Sequence, residues 1–263
     1  MEVVSPTSLE EALRVKAEHP DAVPIQGGTD LMVELNFDRR RPEVLLNLNE
    51  VPELRGWSRE DGVLRLGSGL TYAEAMSGEL AAALPALAEA ARTVGSPQIR
   101  NRGTIGGNLG TASPAGDALP PLLVEGALVE LSSVRGVRTM PLRTFLVGPK
   151  RNAAEPDELI AAVRVSPSGG KQTFMKVGPR NAMVIAVSSL ALVADREREE
   201  IRASFGSCGP VVGLVSCPLA ESASLPALVV EAASPIDDVR GTAAYRLHTL
   251  RVLAERALQR TLS

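Results

Sequence analysis

Residues 102–117 read RGTIGGNLGTASPAGD, and the fold of the whole chain turns on them. The stretch holds five glycines, Gly103, Gly106, Gly107, Gly110 and Gly116, with small or hydroxyl residues in most of the gaps. An apolar run with a Pro-Pro pair, ALPPLLVEG (118–126), follows at once. Glycine serves where backbone takes positive φ or presses close to another group. So many together, leading into an expected helix start at Asp117, point to a backbone cradle for a phosphate or another anion. A tight loop between buried elements has the same composition. These residues alone leave both open.

A second glycine turn lies upstream. Residues 22–25 form a short apolar strand pattern, followed by Gln26-Gly27-Gly28-Thr29-Asp30 and a helix-like LMVEL. Amides at such a helix start face a bound anion. The Asp30 carboxylate opposes one, so a phosphate would rest on Gly27, Gly28 and Thr29. A helix cap with no ligand is the alternative. Two familiar nucleotide signatures are missing: no G-x-G-x-x-G follows an expected strand, and no G-x-x-x-x-G-K-[ST] occurs. Their absence argues against a Rossmann domain and a P-loop NTPase.

Composition bounds the rest. The 263 residues are 44% hydrophobic and 22% charged, as in a folded globular protein with a proper core. A net charge of -3 without a basic block argues against a nucleic-acid surface. No apolar run approaches the ~18 residues of a membrane span. The opening MEVVSPTSLEEALRV carries early acids and no basic segment before an apolar core, so a cytoplasmic location is expected. Cys208 and Cys217 are the only cysteines, and His19 and His248 the only histidines. An iron–sulfur cluster takes about four cysteine ligands, and a zinc or iron site is equally improbable from this set. An organic cofactor is the expected carrier of any chemistry.

Along the chain, strands are expected at 3–4, 44–48, 63–66, 128–131 and 159–165. Helices are expected from a Ser8–Glu11 capping box to Glu18, from Thr71, and over 81–92 with Pro85 kinking or starting it. SPSGGK (166–171) has linker composition. Beyond it, 172–177, 184–193 and 201–205 read as an antiparallel sheet. In the last helix, Ala243, Leu247, Leu250, Ala254 and Leu258 share a face that leaves Arg246, Arg251, Arg256 and Arg260 outside.

The two glycine turns together are more specific than either alone. PIQGGTDLM (24–32), VGSPQIRNRGTIGGNLGTASPAGDALPPLL (94–123), FMKVGPRNAM (174–183) and PIDDVRGTAAYRLHTLRVLAERAL (235–258) resemble, in order, the FAD-binding (medium) subunit of molybdenum hydroxylases. That group contains xanthine dehydrogenase and aerobic carbon monoxide dehydrogenase. The resemblance implies an α+β protein with two N-terminal α/β FAD-binding subdomains of the vanillyl-alcohol-oxidase-like type, over 1–56 and 57–168. A C-terminal α+β flavoprotein domain with a small antiparallel sheet and helices would span 169–263.

It also implies site residues. Pro24, Ile25, Gln26, Gly27, Gly28, Thr29, Asp30 and Leu31, with Thr104, Ile105, Gly106, Gly107 and Asn108, correspond to FAD-contacting loops. Asp117 matches an acidic FAD ligand, Val94 an apolar flavin neighbour, and Leu159 and Lys176 two later contacts. Gly27, Gly28, Gly106 and Gly107 would offer amides to the pyrophosphate, and Thr29 and Thr104 hydroxyls. Asp117 would accept from a sugar or ribityl hydroxyl, or serve as a helix cap. Lys176 would bring a positive charge near the phosphates or ring, or stand solvated. Gln26 replaces a residue that is small in many relatives, and Val94 an aromatic found in some.

FAD would be bound non-covalently, with no catalytic proton-transfer residue and no metal ligand on this chain. The implied partners are a molybdenum-cofactor large subunit and a [2Fe–2S] small subunit, with NAD⁺, oxygen or another molecule as final acceptor. Two other functions stay open: a stand-alone flavin reductase or oxidase of the same fold, and a non-enzymatic nucleotide-binding assembly module.

Overall fold

The computed structural model describes residues 1–181 and 183–263; Ala182, inside the 174–183 segment quoted above, lies outside the described residues. The chain begins with β1 (Glu2–Val4), α1 (Leu9–Glu18), β2 (Val23–Ile25), α2 (Leu31–Asn36) and β3 (Val44–Asn47). These strands form a parallel sheet in the order β1-β3-β2. Ser8 caps α1 by accepting from the Glu11 amide, but Glu11 reaches back to the Thr7 amide instead of to Ser8, so the capping box closes one residue early. Ala12, Leu46, Val51 and Leu54 pack with Leu159 and Ala161 from a later strand, seating this sheet on the next.

That next sheet is antiparallel throughout, in the order β4-β5-β10-β6-β7. It starts with β4 (Trp57–Glu60) and β5 (Val63–Gly67), after which the chain leaves for a run of short helices. They are α3 (Tyr72–Ala75), α4 (Gly78–Ala83), α5 (Pro85–Thr93), α6 (Pro97–Arg102), α7 (Ile105–Thr111) and α8 (Leu119–Val124). The single helix expected over 81–92 is divided at Leu84, because Pro85 opens α5 at a position where a missing N–H costs nothing. Likewise α8 starts two residues past Asp117, with Ala118 at its cap position, so Asp117 caps no helix. The sheet resumes with β6 (Leu128–Ser133) and β7 (Gly136–Pro141). Then come α9 (Leu142–Phe145), a small hairpin of β8 (Leu146–Gly148) and β9 (Arg151–Asn152), and finally β10 (Leu159–Val165). Leu64, Leu66, Ile105, Leu109, Leu119 and Phe145 lie in the core between sheet and helices.

The third sheet is an antiparallel meander of β11 (Lys171–Val177), β12 (Ser188–Asp195), β13 (Glu200–Gly206) and β14 (Gly213–Pro218). The strand expected to begin at Val184 begins at Ser188; the described residues before it run irregularly along a cleft taken up below. Two helices, α10 (Leu225–Ala232) and α11 (Ala243–Leu262), cover the sheet. Leu250, Leu253, Ala254, Ala257 and Leu258 of α11 face it, close to the expected pattern. Arg246 departs from that pattern, being only 3% exposed. Its guanidinium donates to the carbonyls of Val187 and Ser207 at 2.7 Å each and to Asp238 at 2.6 Å, which supply the polar partners a buried cation needs. Phe174 and Ala191 pack against Ala86, Ala90 and Val124, joining this sheet to α5 and α8.

Candidate functional site

The two glycine turns meet. A Cβ placed on Gly27 would lie 2.1 Å from the Arg102 carbonyl oxygen, so the turn after β2 rests directly on the end of α6. Arg102 Nη2 donates back to the Gln26 carbonyl (3.3 Å) and to Asn49 Oδ1 (3.2 Å). Asp30 Oδ2 accepts from Thr111 Oγ1 at 2.9 Å, so the carboxylate is tied across the gap and makes no cap bond to α2. Gly28 has φ +71°, a left-handed backbone that favours glycine. Among the described residues, the amides of Gly27, Gly28, Thr29 and Asp30 donate to no protein acceptor.

The second turn is built differently. The Gly106 amide donates to the Ser68 carbonyl (2.8 Å), and the Gly107 amide to Thr104 Oγ1 (3.0 Å), the N-cap of α7. Both N–H groups expected to serve an anion are therefore already spent, because the first turn of α7 is satisfied from within. Gly106 is small for packing: a Cβ there would lie 2.4 Å from that of Ser68. Ile105 also leaves the site, with its side chain fully buried and its amide on the Leu70 carbonyl.

Between these turns and the 183–185 segment that precedes β12 lies a cleft of about 830 Å³, within the usual range for small-molecule and cofactor sites. Pro24, Ile25, Gln26, Gly27, Gly28, Thr29, Asp30, Leu31, Val94, Thr104, Gly106, Gly107, Asn108, Asp117 and Leu159 all line it. Ile105 and Lys176 do not. Gln26 turns its amide group inward over Gly69, donating to the Leu48 carbonyl at 3.4 Å. No histidine or cysteine is among the lining residues, and Cys208 and Cys217 are buried elsewhere.

Asp117 is the most constrained polar group here. Asn108 Oδ1 accepts from the Ala118 amide (3.2 Å), and Gly116 leaves room for the Asn108 side chain, which would sit 2.7 Å from a Cβ there. The turn so formed buries Asp117 against Lys176, with Nζ donating to Oδ2 at 2.6 Å. Burial raises the Asp117 carboxyl above its ordinary pKa, and the lysine charge and hydrogen bond act to lower it. Its other oxygen, Oδ1, has no partner among the described residues. A buried carboxylate oxygen calls for a donor.

Among the lining residues not singled out from the sequence are Ser68, Tyr72 and Lys16. Ser68 is buried with its hydroxyl unpartnered; the signal for it is Gly67-Ser68-Gly69, a third glycine turn at a strand end. Tyr72 is buried beside Gly103, its phenol pushed well up by burial and by the Asp117 charge. Lys16, buried on α1, donates to the carbonyls of Pro20 and Ala22, and no sequence pattern marks it.

Residues 1–167 match the protein family described as FAD binding domain in molybdopterin dehydrogenase. The chain belongs to that family. Over 271 residues, covering 95% of this chain and 92% of the relative, it is 30% identical to the xanthine dehydrogenase FAD-binding subunit of Escherichia coli O157:H7. Over 194 residues, 71% of this chain and 66% of the relative, it is 37% identical to the nicotinate dehydrogenase FAD-subunit of Eubacterium barkeri. Among solved structures, carbon monoxide dehydrogenase from Hydrogenophaga pseudoflava superposes with a TM-score of 0.92 at 26% identity, covering 100% of this chain and 97% of the other. As a member of the molybdopterin-dehydrogenase FAD-binding family, the chain is an FAD-binding medium subunit and an oxidoreductase component with an α+β fold. The cleft suits that cofactor: free amides on the first turn fit phosphate oxygens, and the lone Asp117 oxygen fits a hydroxyl.

Proposed function

We propose that this chain is the electron-transfer subunit of a molybdenum hydroxylase complex, taking electrons from [2Fe–2S] clusters on a partner and passing them through FAD to NAD⁺ or another acceptor. The observation that carries the proposal is the cleft itself, where unspent amides of Gly27, Gly28, Thr29 and Asp30 share one wall system with the unpartnered Oδ1 of Asp117. Bound flavin supplies the electron chemistry, accepting electrons singly and releasing them as a pair. The chain's own residues bind and orient. The first-turn amides, with Thr29, hold phosphate oxygens, and the Thr104 hydroxyl adds a donor. Asp117 Oδ1 accepts from a hydroxyl, and the unpartnered Ser68 hydroxyl is a further donor lining the same cleft. Pro24, Ile25, Gln26, Leu31, Val94, Gly106, Gly107, Asn108 and Leu159 shape the walls; Ile105 supports them from behind through core packing, and Gly106 is seated on Ser68.

The molybdenum cofactor and clusters belong on partner large and small subunits in this proposal, since two cysteines are too few for a cluster. Among the described residues, no group of three or more His, Cys, Asp and Glu could hold a metal ion. No described helix is long and apolar enough to cross a membrane. Two free cysteines suit a reducing, cytoplasmic setting. Functional boundaries at 1–56, 57–168 and 169–263 keep each of the three large sheets within one part.

The test is a visible absorption spectrum of the purified chain before and after FAD addition, with excess removed by gel filtration. Retained oxidised-flavin bands that disappear in Gly107→Val and Asp117→Ala are expected. A wild-type chain that keeps no flavin, alone or with candidate partner subunits, would overturn the assignment.

A further inference from the structure

Lys176 matches a cofactor contact in sequence order, yet its geometry leaves it nothing with which to touch a ligand. An ammonium has three N–H donors. All three are accounted for within the chain: Asp117 Oδ2 at 2.6 Å, the Thr93 carbonyl at 3.0 Å and the Val184 carbonyl at 3.2 Å. The side chain is 5% exposed and stands behind the cleft wall. Its acceptors lie on three separate segments, each of which continues into that wall. Thr93 precedes Val94, Asp117 lines the cleft directly, and Val184 lies between Met183 and Ile185.

We propose that Lys176 is a positioning residue, which keeps Asp117 charged and aimed so that Oδ1 meets a cofactor hydroxyl, and which pins the 93–95 and 183–185 segments against it. This rests on the FAD assignment above. It departs from the direct contact implied by the resemblance, because the donors are spent. The third sheet, which carries Lys176 on β11, thereby contributes to cofactor binding without touching the cofactor.

A merely structural lysine and one that sustains the Asp117 charge differ in their response to pH. Among the described residues, Lys176 on β11 and Tyr72 on α3 are titratable groups whose influence meets Asp117. Arg100 on α6 is committed to the Val94 and Gly95 carbonyls. Without the Lys176 charge, burial drives Asp117 toward its protonated form, and a protonated carboxyl is the poorer acceptor.

The FAD dissociation constant of the full chain, measured by flavin fluorescence from pH 6 to 9, tests this. Wild type is expected to bind with little pH dependence. Lys176→Met should bind about tenfold or more weakly at pH 6 and recover as pH rises, the scale of one lost charge-assisted hydrogen bond. Lys176→Met/Asp117→Asn should return a flat profile, since the titrating group is gone. Should Lys176→Met fail to fold, Lys176→Gln, which keeps donors but not the charge, is read in its place with the same expectation. Wild-type affinity in the lysine variant, or a loss that does not vary with pH, overturns the positioning role while leaving FAD binding intact. No binding by wild type refutes the FAD assignment instead.

Discussion

Gly106 and Gly107 are neighbours in α7 but are glycine for different reasons, and replacing each by alanine separates them. At Gly106 a Cβ would meet Ser68 Cβ at 2.4 Å, its carbonyl oxygen at 2.7 Å and its Cα at 2.8 Å, where ordinary contact begins at 3.4 Å. The Ser68 backbone is held by its amide on the Ala161 carbonyl and its carbonyl on the Gly106 amide, so α7 itself must retreat by about 1 Å. Overpacking of that kind costs about 1–3 kcal/mol. With about 2–4 °C of melting temperature per kcal/mol for a chain of this size, FAD-free Gly106→Ala should melt roughly 2–12 °C lower. At Gly107, among the described residues and apart from its own helix backbone, the only neighbour within 4 Å is Thr104 Oγ1 at 3.1 Å, which a small side-chain adjustment relieves. Alanine is favoured over glycine in a helix by about 1 kcal/mol, so the FAD-free Gly107→Ala chain should melt at the wild-type temperature or slightly above it. Its methyl, however, takes up cleft space, and FAD affinity should fall about tenfold or more, ~1.4 kcal/mol. Calorimetric melts without FAD and a flavin-fluorescence titration read the two effects independently. Gly107→Ala melting as low as Gly106→Ala, or binding FAD as wild type does, would refute the division between a packing glycine and a binding glycine.

Two further outcomes concern stability. Arg246→Met strips donors from the Val187 and Ser207 carbonyls and from Asp238, and should lower unfolding free energy by about 3 kcal/mol in a denaturant titration; an unchanged midpoint would count against a buried anchor. Glu158 is held below its ordinary carboxyl pKa of 4.5 chiefly by its paired hydrogen bonds from Arg138. A lowered folded pKa gives stability that is complete above the unfolded value and lost as pH falls through the folded one. Because Arg138 is 43% exposed, Glu158→Gln should cost only about 1 kcal/mol near pH 7, with the gap from wild type closing as pH drops below 4.5. A gap that widens on acidification would contradict the pairing.

Much of the fold was legible because its signals are local. Strand β10 coincides with the apolar run 159–165, and α3 starts at its expected cap Thr71, which exchanges reciprocal bonds with Glu74. What escaped lies at edges and across distance. Strands β7 and β14 close the borders of their sheets and carry mostly exposed or half-buried side chains, so neither shows the apolar run of a central strand. Helical periodicity put Arg246 outside because it registers polarity and cannot foresee the carbonyls that satisfy a buried guanidinium. In the site, the glycine turns announced themselves, but their amides did not: whether Gly106 and Gly107 are free depends on Ser68 and Thr104, which composition does not orient. The pairing of Asp117 with Lys176 joins the turn before α8 to β11, 59 positions away in sequence. No periodicity connects two such residues.

The seam between the glycine turns has a consequence for engineering. Gly27 abuts Arg102, Asp30 holds Thr111, and Gly106 rests on Ser68, so the turns are complementary castings of one another. A chimera that imports residues 24–31 from a relative while keeping its own 97–117 would inherit mismatched surfaces at the floor of the cleft. The smallest transplantable unit is both turns together with Ser68, moved as one piece.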